Sequence, residues 1–250
     1  MDWTDYRFGL DGRHIQVFRE PVYHIVIDSL FGSEMNREIL DHAISLEEHF
    51  EDATILEDQV SVNPAWRSNR VCYPDQLFFD PKGPTDRESR IRYRAERSPL
   101  LAAFDSLMLS KVFHEIMDTT PHPLCKLRET NRWETQLSRY GDQAQHYRWH
   151  LDRSEGDQRL VSIVYHFHQN PRPFSGGELV LTNALMTNGE LVSEGETKSY
   201  EVENDRAILF PSRTVHSVRP TFSPEEFSQG RFSVNLWAGR DGSFEGTNLF

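Results

Sequence analysis

The feature that most constrains the fold is a change of hydrophobic period near Thr135. From this residue onward, apolar and polar residues alternate with a period of two, which is typical of β-strands with two different faces. Clusters of Gly, Pro, Asn and Asp interrupt the alternation at short intervals. The pattern predicts eight short strands, over residues 136–140, 147–151, 160–168, 178–181, 198–202, 207–210, 215–219 and 232–238.

The first half of the chain shows helical periodicity instead. Ser33 is a favourable N-cap residue, and the apolar residues that follow it recur at helical spacing, which predicts an amphipathic helix over residues 34–50. A second apolar stripe predicts a helix over residues 98–117, with Pro99 in its first turn. A β-branched run at residues 22–27 predicts one strand ahead of both helices.

Strands gathered behind helices predict an α+β, mainly β fold. We expect a double-stranded β-helix, or jelly-roll, whose N-terminal helices buttress one sheet. The 250 residues suit a single domain, in which residues 1–130 support a catalytic core at residues 135–240. Residues 53–96 combine weak periodicity with prolines and many charges, so we expect a long loop that acts as a lid over the active site.

Composition narrows the possible partners and the compartment. The formal net charge is −12 and no basic run is visible, which argues against a nucleic-acid partner. No apolar run approaches the length of a membrane span, and the N-terminus lacks the apolar core of a signal peptide. Cys72 and Cys125 are predicted to be free thiols in a reducing compartment. The protein is therefore predicted to be soluble and cytoplasmic, and its oligomeric state stays open.

A His-x-Asp pair provides the first indication of chemistry. His150 and Asp152 lie in a predicted strand, where residues two apart point to the same side. His49 and Glu51 have the same spacing, but they close a predicted helix, where residues two apart do not share a face. His216 follows in a later strand and is the candidate third ligand of a metal.

Two imidazoles and one carboxylate on one side of a metal leave its other positions open, which suits non-haem iron. Zinc is the alternative, but structural zinc favours sulfur ligands and no cysteine neighbours His150, Asp152 or His216. The sequence therefore predicts an Fe(II) site. Because an arginine with a hydroxyl beside it can hold a carboxylate at two points, Arg231 and Ser233 are predicted to bind the far carboxylate of a 2-oxo acid.

These motifs occur in a characteristic order between residues 136 and 239. They are Tyr140-Gly141, Tyr147, His150-x-Asp152, Ser175-Gly176-Gly177-Glu178-Leu179, Phe210-Pro211, His216 and Arg231-x-Ser233. In this order the chain resembles the ferrous iron and 2-oxoglutarate dependent dioxygenases, in their prolyl-hydroxylase-like branch. The separation of His216 and Arg231 is longer than we expect for that family, so Arg219 stays open as an alternative carboxylate anchor.

The resemblance implies a function and a set of cofactors. The cofactors would be Fe(II), 2-oxoglutarate and O2, with ascorbate as an optional reductant. The reaction would hydroxylate an aliphatic C–H of an amino-acid, peptidyl or related small-molecule substrate while 2-oxoglutarate is converted to succinate; desaturation or cyclisation in a biosynthetic pathway stays open. Phenolic donors to the cosubstrate are expected from Tyr140 and from Tyr165, which lies where the family places such a tyrosine.

Three residues of the predicted lid are candidates for substrate binding. Trp66, Arg67 and Arg70 could grip a carboxylate or a peptide. Two other classes of protein stay open: a cupin-like metal enzyme that ignores 2-oxoglutarate, and a jelly-roll binding module without catalysis. A base-repair dioxygenase would share the chemistry but would need a basic groove.

The remaining histidines and glycines near these motifs have simpler interpretations. His166 and His168 have no carboxylate at a matching spacing, so we expect them to pack in the core or to face solvent. His146 lies four residues before the first predicted ligand and is a secondary candidate for contact with the metal or its ligands. Gly176 and Gly177 predict a turn that needs positive φ.

Overall fold

A computed structural model describes residues 6–10, 12–56, 60–78, 98–111, 113–114, 130, 132–141, 143–152, 158–187 and 190–240. Within these ranges most of the regular structure is strand, and every strand pairing is antiparallel. The α-helices are α1 (Ser33–Ser45), α2 (Pro74–Leu77) and α3 (Pro99–Leu109), and short 3₁₀ helices cover Glu47–His49 and Phe227–Gln229.

The strands are numbered in chain order. They are β1 (Tyr6–Leu10), β2 (Arg13–Phe18), β3 (His24–Asp28), β4 (Glu51–Asp52), β5 (Ile55–Leu56), β6 (Val60–Ser61), β7 (Arg70–Cys72), β8 (Arg132–Tyr140), β9 (Gln145–His150), β10 (Arg159–Phe167), β11 (Ser175–Gly176), β12 (Leu179–Thr182), β13 (Met186–Thr187), β14 (Glu190–Leu191), β15 (Thr197–Tyr200), β16 (Arg206–Pro211), β17 (Val215–Phe222) and β18 (Arg231–Gly239). All eight predicted strands of the C-terminal half are present, with ends shifted by a few residues.

Two sheets contain most of these strands. The major sheet has nine strands in the order β1-β2-β3-β16-β10-β18-β8-β7-β4. The minor sheet has five strands, with β17 between β12 and β9 and with β11 and β15 completing it. Because β16 and β17 are consecutive in the chain but lie in different sheets, the chain crosses between the sheets there.

The major sheet is buried on both faces. One face packs against α1 and α3 in a large apolar cluster that includes Ile39, Phe104 and Tyr165. The other face meets the minor sheet through a smaller cluster that includes Val164 and Leu181. The protein is therefore mainly β, with helices covering one face of the major sheet, and the space between the two sheets is where the predicted site residues meet.

The first helix differs from its prediction at both ends. Ser33 is the first helical residue rather than the cap, because the cap position belongs to Gly32, which has a φ of 82°. The carboxylate of Asp205 accepts hydrogen bonds from the backbone N–H groups of Phe31 and Gly32, at 3.0 and 2.8 Å. The predicted end at residue 50 is too late, because α1 ends at Ser45 and a 3₁₀ turn follows it.

The second helix is also shorter than predicted. Ser98 caps α3, since its Oγ accepts a hydrogen bond from the N–H of Leu101 at 3.4 Å, and the helix ends at Leu109. Residues 115–117 of the prediction lie outside the described ranges, as do residues 79–96 of the predicted lid. In the described ranges, none of the helices combines the length and the apolar character that a membrane crossing requires.

Candidate metal centre

A cavity of about 430 Å³ lies between the two sheets, in the size range of small-ligand sites. His150, Asp152 and His216 line it, together with Tyr140 and Arg231. Each sheet contributes to the wall, because β9 and β17 belong to the minor sheet whereas β8 and β18 belong to the major sheet. The strand pairing therefore brings together residues that are far apart in the chain.

The three predicted metal ligands converge in this cavity. His150 and His216 are direct partners in the pairing of β9 with β17, and their ring centroids lie 4.0 Å apart. A carboxylate oxygen of Asp152 lies 3.9 Å from Nε2 of His150 and the other oxygen lies 3.5 Å from Nε2 of His216. One ligand atom from each residue lies within 4.8 Å of the other two, close enough for a single ion to contact all three.

The local backbone places Asp152 differently from the prediction. The strand that was predicted to run to residue 151 ends at His150, so Asp152 does not point into the cavity by strand alternation. Its backbone N–H donates a hydrogen bond to the carbonyl oxygen of Ser212 at 3.1 Å, which ties the segment after β9 to the turn before β17. That tertiary contact aims the carboxylate at the two imidazoles.

Both imidazoles are held in the tautomer that a metal needs. Nδ1 of His150 lies 2.7 Å from the carbonyl oxygen of Arg148, and Nδ1 of His216 lies 2.8 Å from that of Thr214. Because a carbonyl oxygen only accepts hydrogen bonds, Nδ1 carries the proton in each ring and Nε2 presents a lone pair to the cavity. The pKa of His150 is lowered well below its usual value, mainly by burial and then by His216, which favours a neutral ring that is able to bind a metal.

Aromatic rings fix the two imidazoles further. Tyr147 stacks on His150 with ring centroids 3.4 Å apart and an interplanar angle of 12°. Phe210 packs against His216 at a centroid distance of 4.8 Å. These contacts restrict ring rotation, so the ligand atoms keep their positions before any ligand binds.

Arg231 lies deeper in the same cavity and is 1% exposed. It donates three hydrogen bonds to neutral acceptors: Nε to the carbonyl oxygen of Gly177 at 3.1 Å, Nη1 to Oγ of Ser233 at 3.0 Å and Nη2 to Nε2 of His166 at 3.0 Å. A guanidinium has five N–H groups, so one remains on each terminal nitrogen, which suits bidentate binding of a carboxylate. Burial lowers the pKa of Arg231 to about 10, which leaves it charged at neutral pH.

The surroundings of Arg231 indicate space reserved for a polar group. Among the described residues no carboxylate pairs with this buried cation, and an isolated buried charge is unfavourable. Oγ1 of Thr221 and Nδ1 of His166 are also buried, and neither has a hydrogen-bond partner in the described ranges. Gly177 has a φ of 78°, and a Cβ there would lie 2.8 Å from Oγ1 of Thr221 and 3.2 Å from Cδ of Arg231. The predicted positive φ is thus confirmed, and close approach is a second reason for glycine.

Comparison with known proteins shows a similarity to one superfamily. Residues 135–239 match the model of the 2OG-Fe(II) oxygenase superfamily, a stretch that contains all three ligands and Arg231. Over these residues the chain resembles the 2OG-Fe(II) oxygenase superfamily. The predicted resemblance to this superfamily, in its prolyl-hydroxylase-like branch, is confirmed, and the superfamily implies Fe(II), 2-oxoglutarate and O2.

Three known proteins show this similarity. An uncharacterized PKHD-type hydroxylase of Synechocystis sp. is 35% identical over 107 residues, which are 42% of this chain and 35% of that relative. A prolyl hydroxylase from Trichoplax adhaerens, solved in complex with a hypoxia inducible factor oxygen degradation domain peptide fragment, has a TM-score of 0.56 and 21% identity, covering 86% of this chain and 83% of that one. A Pseudomonas putida prolyl-4-hydroxylase has a TM-score of 0.55 and 20% identity, covering 87% and 92%. The two structures establish a shared fold.

The donor set of the cavity fits a ferrous ion. Two imidazoles and a carboxylate, without sulfur, are typical of non-haem iron rather than of structural zinc. The three ligands line a cavity, so the other side of an ion would face open space that a chelating cosubstrate can fill.

Tyr165 was predicted as a cosubstrate ligand, and that prediction is wrong. Its side chain lies on the helix side of the major sheet, where its hydroxyl donates to Asp205 at 3.0 Å and accepts from Asn36 at 2.7 Å. Successive residues of a strand point to opposite faces, so the neighbouring Val164 and His166 point toward the minor sheet. The prediction that His166 packs in the core or faces solvent therefore missed its contact with Arg231.

The other predicted residues divide between the cavity and the surface. Tyr140 lines the cavity, and its ring lies beneath the guanidinium of Arg231 at 4.7 Å. Arg219 is exposed, so it does not reach the cavity as a rival anchor. His146 is half-buried and contacts Ser68 rather than the three ligands.

Of the three substrate candidates, the structure brings one to the cavity. Arg67 lines it and is 7% exposed. Arg70 turns away, since its Nη2 donates to the carbonyl oxygen of Phe50. Trp66 is half-buried beneath the guanidinium of Arg148 and is absent from the cavity wall.

Proposed function

We propose that this protein is an Fe(II)- and 2-oxoglutarate-dependent oxygenase that hydroxylates an aliphatic C–H of an amino-acid, peptidyl or related small-molecule substrate. The observation that carries the proposal is the convergence of His150, Asp152 and His216 in one cavity, where Arg231 is buried and has no carboxylate partner among the described residues. The match to the superfamily supports the same reaction class.

The proposal includes the finer architecture. Two antiparallel sheets enclose the cavity, which supports a double-stranded β-helix at residues 135–240 within a single domain. The described part of the predicted lid also borders the cavity, through Thr54, Ile55, Tyr73 and Gln76. A lid over an oxygenase site would exclude water from a reactive intermediate.

In this proposal His150, His216 and Asp152 hold the metal. When bound with 2-oxoglutarate, ferrous iron would activate O2, so that one oxygen atom enters the succinate formed with loss of carbon dioxide and the other is inserted into the C–H bond of the substrate. The Nδ1 hydrogen bonds orient both imidazoles with Nε2 toward the ion. Stacking by Tyr147 holds the first ring against displacement.

Arg231, Ser233 and Tyr140 position the cosubstrate. The two free N–H groups of Arg231 bind the far carboxylate, while Ser233 fixes the guanidinium through Nη1. Burial raises the pKa of Tyr140, so its phenol keeps its proton and can donate to the same ligand. This arrangement selects a 2-oxo acid with a second carboxylate over a monocarboxylate.

The substrate would be a small molecule or a peptide rather than a nucleic acid, given the formal net charge of −12. Cys72 is a buried free thiol, which is compatible with the predicted reducing cytoplasm. The same ligands would serve desaturation or cyclisation, and analysis of the product distinguishes these outcomes from hydroxylation.

The test is an anaerobic titration of the purified protein with Fe(II) and 2-oxoglutarate. Chelation gives a visible charge-transfer absorption, and admission of air should then give succinate. We expect His150→Ala and Asp152→Ala to abolish both signals, because each substitution leaves the ion with two protein ligands. Wild-type protein that binds Fe(II) but develops no charge-transfer absorption would instead be a cupin-like metal enzyme, and protein that binds no metal would be a binding module.

His146→Ala is the matched control. It removes an imidazole from the same strand, four residues before His150, that contacts Ser68 and not the ligand set. We expect it to retain the absorption and succinate formation. Equal losses in all three variants would show that the signals report folding of β9 rather than coordination.

A further inference from the structure

Two arginine–aromatic pairs connect β9 to the segment before β7. Arg67 and Tyr147 form an isolated β-bridge, and the guanidinium of Arg67 lies over the Tyr147 ring at 4.5 Å. One residue away on each segment, Arg148 lies over the Trp66 ring at 5.1 Å. The first pair faces the cavity, whereas the side chain of Arg148 is 45% exposed on the opposite side. An arginine over an aromatic ring therefore occurs once at the cavity and once on the exposed side of the same two segments.

Arg67 is held by neutral acceptors alone. Its Nε donates to Oδ1 of Asn69 and its Nη2 donates to Oε1 of Gln136, both at 2.8 Å. In the described ranges no carboxylate lies within ion-pair distance of Arg67, and its Nη1 makes no hydrogen bond. A cation that is 7% exposed and unneutralised is unfavourable unless a ligand supplies the opposite charge.

The position of Arg67 relative to the metal ligands is defined by stacking. Tyr147 contacts both groups, since the guanidinium of Arg67 lies 4.5 Å from its ring centroid and the ring of His150 stacks on it at 3.4 Å. Arg67 and a predicted metal ligand therefore contact the same aromatic ring. A group that binds Arg67 from the cavity lies beside the reactive centre.

Charge balance indicates what that group is. The charges of 2-oxoglutarate and Asp152 together balance those of a ferrous ion and Arg231. Arg159, which also lines the cavity, has a carboxylate partner in Glu134 at 2.9 Å. The positive charge of Arg67 is thus left for the primary substrate.

We propose that Arg67 binds a carboxylate of the primary substrate, which makes the substrate an amino-acid-like or other small carboxylic acid. The inference rests on the proposed function and adds the substrate class. The free Nη1 supplies a charge-assisted hydrogen bond, and the amide oxygens of Asn69 and Gln136 orient the guanidinium without cancelling its charge. Tyr147 provides a flat apolar surface beneath the bound group.

The test compares N-acetylated amino acids with their own primary amides, which have nearly the same shape but no negative charge. Protein loaded anaerobically with Fe(II) and 2-oxoglutarate is titrated with each compound, and binding is read from the shift of the charge-transfer absorption. Succinate release in air is the second measurement. We expect at least one acid to bind about tenfold to a hundredfold more tightly than its amide, as charge-assisted hydrogen bonds allow.

Variants assign that preference to Arg67. Arg67→Gln should still form the chelate with 2-oxoglutarate but should bind the acid and the amide equally, and Arg67→Lys should retain part of the preference. Arg148→Gln is the matched control, since it removes a guanidinium from the outer pair, and should leave the preference unchanged.

Several results would overturn the inference. The inference fails on the wild-type protein alone if no acid in the panel binds more tightly than its amide. Arg67→Gln with an intact preference, or Arg148→Gln with an equal loss, would show that Arg67 only supports the Tyr147 ring. If wild-type protein forms no chelate at all, the proposed function fails first, and the two failures are thereby distinguished.

Discussion

The contact between His166 and Arg231 leads to a prediction about charge. Nε2 of His166 accepts a hydrogen bond from Nη2 of Arg231 at 3.0 Å, and His166 is fully buried. Burial first, and then the charge of Arg231, lower the pKa of His166 well below its usual value, so the ring is neutral at pH 7. A neutral acceptor orients the arginine while leaving its full charge for the cosubstrate.

Replacing His166 with Glu would place a carboxylate where the imidazole accepts its hydrogen bond. The new carboxylate would bind Nη2 and neutralise Arg231, so 2-oxoglutarate would have to displace or share an internal anion. A hydrogen bond to a charged group contributes about 1.5–3 kcal/mol, which corresponds to a rise of about tenfold to 150-fold in the Kd of 2-oxoglutarate. The free energy of unfolding of the ligand-free protein should not fall in parallel, because the variant gains a buried ion pair.

His166→Gln is the matched comparison, because Gln has the shape of Glu but presents a neutral oxygen to Nη2. We expect its Kd for 2-oxoglutarate to stay within about threefold of the wild-type value. The assay is anaerobic titration of the Fe(II)-loaded variants, read by the charge-transfer absorption, with urea denaturation of each variant alongside. The reasoning is refuted if the Glu and Gln variants bind 2-oxoglutarate equally well, or if affinity simply follows the loss of stability.

Two further predictions test the glycine turn and the corrected tyrosine. Gly177→Ala should lower the free energy of unfolding and weaken 2-oxoglutarate binding, because the new Cβ would lie 3.2 Å from Cδ of Arg231 at a backbone φ of 78°. Gly12→Ala is the control, since Gly12 has a similar φ of 76° but a Cβ there would have no atom within 4 Å. A comparable loss of 2-oxoglutarate binding in Gly12→Ala would contradict the argument from contact with Arg231. Tyr165→Phe should lower the free energy of unfolding, measured by urea denaturation, by about 1–3 kcal/mol, because Asp205 loses a buried hydrogen-bond donor. The Kd of 2-oxoglutarate should stay unchanged, and a higher Kd would indicate that Tyr165 does contact the cosubstrate.

The error at Tyr165 and the oversight at His166 have one cause. Strand β10 is buried on both faces, so its apolar residues do not reveal which face meets the cavity. Its polar residues do contain a signal, since Ser162 and His166 share a face opposite Tyr165. This alternation would predict that His166 faces Arg231 only if the register of β10 with β18 were also known.

The position of Arg67 shows a second limit of prediction from sequence, which is the choice among neighbouring candidate residues. Its sequence neighbours Trp66 and Arg70 are equally plausible ligands, and the strand pairing with Tyr147 selects the inward one. Similarly, Asp152 reaches His216 through the contact of its backbone with Ser212, which no local pattern encodes. Both cases depend on contacts between segments that are distant in the chain.

The sequence by itself determined the mainly β character, the two long helices in outline and the identity of the two imidazoles and the carboxylate. These features follow from local periodicity and from the chemistry of the side chains, which are properties of neighbouring residues. Tertiary structure alone decided that Arg231 rather than Arg219 is buried in the cavity, that His166 supports it and that Arg67 faces inward. The reason is that burial and strand register arise from the packing of two sheets, and each strand carries polar residues that are compatible with either face.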